Sequence, residues 1–90
     1  MAKVLVTLKV LPEDVETDLS AIVEEVRKRL PKDYELLSSG EEPIAFGLKA
    51  LKLYVAIPEM TAGGTENLEE IVRSIKGVSQ VEVEMVTRMR

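Results

Sequence analysis

Cysteine, histidine and tryptophan are all absent from this 90-residue chain. Without cysteine it has no disulfide, no thiolate nucleophile and no cysteine-type zinc site. Without histidine the commonest general base and metal ligand is gone, and Ser-His and Cys-His chemistry goes with it. Asn67 and Gln80 are the only side-chain amides, and one Phe and two Tyr supply all the aromatic rings. No apolar run approaches the ~18–20 residues that cross a bilayer. The start, Met1-Ala2-Lys3-Val4, lacks the long apolar stretch of a signal peptide, so a cytoplasmic setting is expected. Positive charge is also in deficit: 12 basic against 16 acidic residues give a net charge of −4. That balance argues against whole-surface binding to nucleic acid or to an anionic membrane. Covalent catalysis, a bound metal and a cofactor are not expected.

What is present is a core's worth of apolar residues, 46% of the chain, and a charged exterior, 31%. Scarce amides beside abundant Glu, Lys and Arg is a thermophile's bias. The length suits one domain, residues 1–90, burying roughly 60–65% of its unfolded surface. Val4, Val6, Leu8 and Val10 alternate with Lys3, Leu5, Thr7 and Lys9, the period of a half-buried strand that Pro12 ends. Leu19, Ile22, Val23, Val26 and Leu30 then form the stripe of an amphipathic helix, with Thr17 and Asp18 as N-cap candidates and Pro31 as its stop. Tyr34 to Leu37 reads as a second strand, interrupted at Ser38-Ser39-Gly40, where Gly40 and Pro43 suit an edge strand with a bulge or a loop. Leu51, Leu53, Val55 and Ile57 mark a third strand. Leu68, Ile71, Val72 and Ile75 mark a second helix, capped by Thr65 or Asn67 and followed by Gly77. Val81, Val83 and Met85 make the fourth strand. The order β-α-β-β-α-β predicts a ferredoxin-like α+β sandwich: a four-stranded antiparallel sheet, first and third strands central, with two helices on one face.

That fold hosts unrelated functions, so function must be read from particular residues. The adjacent acids Glu24-Glu25, Glu41-Glu42 and Glu69-Glu70 are solvated faces, since neighbouring helical residues splay about 100° apart. Gly63-Gly64-Thr65 precedes a helix and reads as a turn; it lacks the lysine-serine end of a phosphate-binding loop. The open sheet face is expected to show Leu5, Thr7, Lys52, Tyr54 and Val86, either a partner surface or tolerated exposure. Phe46, beside Gly47 and close to Lys49 in a strand-to-strand connection, either plugs one end of the core or protrudes as an anchor. If alternation persists to the end of the last strand, Met85, Thr87 and Met89 face inward while Arg88 and Arg90 point away as a basic tip.

Two motifs stand out: Pro43-Ile44-Ala45-Phe46-Gly47-Leu48-Lys49-Ala50-Leu51, and Gly64-Thr65-Glu66-Asn67-Leu68-Glu69-Glu70. On these the chain resembles the guanine-nucleotide exchange domains of the elongation factor 1-beta family, along its full length. The resemblance implies an exchange factor for elongation factor 1-alpha, the GTPase that carries aminoacyl-tRNA. It implies no covalent chemistry. It implies an interface of Phe46, Gly47, Lys49, Arg88 and Arg90, with Phe46 anchoring and Arg88 aligned with a lysine that the family inserts near the GTPase's magnesium. Here that lysine is an arginine, a planar fork in place of a compact point charge. The competing readings are a protein-interaction domain and a small-molecule regulatory module, both without exchange activity.

Overall fold

Alternation is cleanest in Lys3–Pro12 and Lys49–Pro58, and these form the central strands β1 and β3. They pair antiparallel without a break from Lys3↔Pro58 to Val10↔Leu51. β2 (Glu35–Pro43) takes the free edge of β3 and β4 (Val78–Arg88) the free edge of β1, giving the order β2-β3-β1-β4. With α1 (Leu19–Arg29) and α2 (Glu66–Arg73) the chain runs βαββαβ, the expected ferredoxin-like arrangement. The computed structural model describes residues 2–60 and 64–89. Ala62 and Gly63 of the glycine loop, and Arg90 of the basic tip, lie outside the described residues.

Val6, Leu8 and Val10 of β1 and Leu51, Leu53, Val55 and Ile57 of β3 meet Ile22 and Val26 of α1 and Leu68 and Val72 of α2, none more than 2% exposed. Each such side chain contributes about 1.5–3 kcal/mol by leaving water, so the sheet-helix seam dominates the folding energy. The helix ends follow from local chemistry. Asp18 caps α1, its Oδ1 accepting from the N–H groups of Ser20 at 3.0 Å and Ala21 at 3.3 Å. Arg27, Lys28 and Arg29 fill the last turn, where the helix dipole favours cations. Thr65 holds the N-cap position of α2, but its hydroxyl donates to Glu69 Oε2 at 2.8 Å and caps no backbone N–H. Asn67 instead donates its amide to the Tyr34 hydroxyl at 3.4 Å.

The irregular places carry the corrections. β2 is not interrupted at Ser38-Ser39-Gly40; it runs through as an edge strand, with Leu37 as an extra residue between the pairs Leu36↔Val55 and Ser38↔Tyr54. In β4 the pairs jump from Leu8↔Val83 to Thr7↔Met85, leaving Glu84 as a bulge. Directly paired residues of an antiparallel ladder share a face, so everything beyond Glu84 changes sides. Val86 pairs with the core residue Val6, and Arg88 with Val4, on the helix side of the sheet. Met85 and Thr87 pair with Thr7 and Leu5 on the open side. The expected inward parity of Met85 and Thr87 is therefore reversed, and Met85 takes the open-face place expected for Val86.

The same bulge brings the Glu84 carboxylate to the Lys52 ammonium across the open face. That hydrogen bond is the main reason the lysine's pKa is raised. A pKa raised in the folded state contributes stability at pH values below the unfolded value, about 10.4, and loses it as pH climbs through the folded one. Urea midpoints are accordingly expected to fall on the alkaline side of pH 10.4. The fall should be shallower in Lys52→Met, and an identical alkaline limb in the two proteins would assign no such role to the pair.

Candidate functional site

The exposed residues of interest gather at the two ends of the sheet. At one end, the β2–β3 connection turns through Phe46 and Gly47, whose φ angles are +54° and +79°. Leu48 N–H donates to Ala45 O at 2.9 Å, and Ile44 N–H to Leu48 O at 2.9 Å. Two successive positive φ angles are the signature of a type I′ hairpin turn, whose preferred residues are Asn-Gly. Gly47 fits without strain. Phe46 does not: a left-handed residue with a Cβ costs about 1–2 kcal/mol. Phe46 is 96% exposed and recovers nothing by burial, so the plug reading is excluded and Phe46 protrudes. Lys49 is close by, its ammonium 3.7 Å from Glu41 Oε1.

At the other end, β4 leaves the sheet at Arg88. Backbone bonds hold this margin together: Met89 N–H donates to Lys3 O at 2.9 Å and Glu59 N–H to Ala2 O at 3.1 Å. The Arg88 guanidinium donates to Glu59 Oε1 while remaining 75% exposed. Met60, the residue after Glu59, is 91% exposed. Sequence reasoning missed Glu59, because its approach to Arg88 depends on two strands meeting through β1, and no local pattern encodes that.

Phe46, Gly47 and Lys49 are thus brought together, and Arg88 is not brought to them. The ten residues of β3 separate the two ends, roughly 30 Å at ~3.3 Å per residue. This is most of the molecule's 41 Å long axis. Any surface that touches both must be a large one. Among the described residues no group of three or more His, Cys, Asp or Glu side chains is arranged to hold a metal ion, and no helix is long and apolar enough to cross a membrane.

Fold and site together define an α+β sheet domain with an exposed aromatic side chain at one end and an exposed guanidinium at the other. Comparison with known proteins gives its family. The EF-1 guanine nucleotide exchange domain model matches residues 5–89, and the chain belongs to that family. Among curated relatives, the elongation factor 1-beta of Staphylothermus marinus is 61% identical over 89 residues, 99% of each chain. That of Aeropyrum pernix is 53% identical over 90 residues, the whole of both chains. Among solved structures, the C-terminal domain of the MgtC protein from Mycobacterium tuberculosis superposes with a TM-score of 0.59 at 16% identity, over 92% of this chain and 86% of that one. This last likeness is one of fold alone.

Proposed function

We propose that residues 1–90 act as a single guanine-nucleotide exchange domain in the cytoplasm, promoting replacement of GDP by GTP on elongation factor 1-alpha. In this reading no bond is made or broken, and neither nucleic acid nor membrane is a partner. The family supports exchange as the activity. The observation that carries the mechanism is Arg88: a cation at a strand end, turned to the helix side by the Glu84 bulge and held by one exposed ion pair.

GDP is retained in such GTPases by phosphate-binding backbone amides and by magnesium, which neutralises the phosphate oxygens. An exchange factor binds the nucleotide-free GTPase more tightly than the GDP form, and linkage requires it to weaken GDP by the same factor. A coupling of roughly 4 kcal/mol is about a thousandfold in affinity. Phe46, anchored on one part of the GTPase, fixes the long axis of the domain, with Gly47 and Lys49 beside it; Arg88, and Arg90 after it, then reach the magnesium and phosphate region. Leaving Glu59 costs Arg88 little, since exposed ion pairs contribute about 0–1 kcal/mol. The coupling needed is several times larger, so the intramolecular pair orients the guanidinium without locking it away. GTP refills the emptied site by mass action, and the factor sets rate, not direction.

The test is release of fluorescent GDP from the GTPase, with and without the chain. Stimulation that saturates with added factor is expected. Unchanged release at concentrations where a complex forms rejects exchange and leaves the protein-interaction reading.

A further inference from the structure

The turn between β1 and α1 places an apolar side chain where nothing intramolecular needs it. Asp14 organises this turn: its Oδ1 accepts from Glu16 N–H at 2.8 Å, its carbonyl from Thr17 N–H at 3.3 Å, and its own N–H donates to Thr17 Oγ1 at 3.3 Å. Val15 sits at the outer corner, 60% exposed. It lies against the hairpin that carries Phe46: a Cβ built on Gly47 would stand 3.8 Å from Val15 Cγ1. Ile44, on the other arm of the hairpin, is 40% exposed. Three of the exposed large apolar side chains therefore share one end of the molecule, drawn from two segments roughly 30 residues apart.

Charge around this tip is lopsided. Lys49 is matched by Glu41, whereas Glu13, Asp14, Glu16 and Asp18 have no salt-bridge partner among the described residues. An apolar tip beside the acidic run Glu13–Asp18 complements an apolar recess with a basic rim, and repels an acidic one. We propose that Val15, Ile44 and Phe46 form one continuous docking tip, with Val15 the second anchor, and that it seats in such a recess on the GTPase. This rests on the exchange reading above for the partner's identity, and the tip is continuous with the Phe46 contact that reading requires.

The test is a titration of the labelled full chain with nucleotide-free GTPase, followed by fluorescence anisotropy, alongside GDP release. Val15→Ser is expected to raise the Kd about 5–10-fold while circular dichroism and melting stay at wild-type values, because the side chain lies outside the core. Glu16→Lys is expected to raise Kd about 3–10-fold at low salt and to flatten its salt dependence. A wild-type Kd in either variant overturns the proposal. Wild-type chain that binds without stimulating release sinks the exchange reading alone, and the two variants still decide the tip. Absence of any wild-type binding overturns both.

Discussion

Arg88→Ala is expected to slow stimulated GDP release by about 10–100-fold at saturating factor. The estimate is the loss of one charge-assisted interaction, about 1.5–3 kcal/mol, converted to a rate ratio. Melting should hardly move, since the substitution removes only an exposed pair with Glu59. Arg88→Lys should fall between, keeping the charge and losing the fork. A geometric variant separates aim from charge. Deleting Thr87 draws Arg88 back one position, opposite Leu5 in place of Val4, and so onto the open face. Net charge is unchanged, yet the loss should approach that of Arg88→Ala. Full activity in the deletion would mean that a loose positive tail suffices and that the bulge aims nothing.

The second large effect belongs to Phe46, where stability and activity are expected to part company. Phe46→Asn should weaken binding to the GTPase by about 30-fold or more, the cost of losing an aromatic hot spot worth at least about 2 kcal/mol. It should also make the isolated domain more stable. Asn tolerates the left-handed conformation at φ +54° far better than Phe and restores the Asn-Gly pair that a type I′ turn prefers. A gain of about 1 kcal/mol raises Tm by about 4–8 °C in a domain of this size. A residue that strains its own turn and stays in water fits the anchoring role proposed above. Loss of stability in Phe46→Asn, or undiminished binding, would remove that argument.

The two effects probe opposite ends of one sheet. Aromatic anchor and cation stand roughly 30 Å apart along β3, so neither substitutes for the other. Phe46 and Val15 are expected to act on affinity, and Arg88 on the release step. A double variant of Phe46 and Arg88 should be close to additive, as sites this distant share no contacts.

Much of this protein is written locally. Period-two runs in Lys3–Pro12 and Lys49–Pro58, the stripe from Leu19 to Leu30 and the stops at Pro12, Pro31 and Pro58 determine the elements and most of the core, because burial follows the pitch of strand and helix. The two motifs carry the family. Val15, a lone apolar residue within the acidic run Glu13–Asp18, carries no periodic signal, and its place against the β2–β3 hairpin is not written locally. Tertiary structure decided the rest. Alternation assigns a face only while every residue is paired, and the unpaired Glu84 reverses it for the residues that follow. Whether Phe46 fills the core or leaves it depended on how the hairpin closes, and Arg88 found Glu59 only through the pairing of three strands. Local periodicity determines what is buried; the register between distant segments determines where the exposed chemistry points.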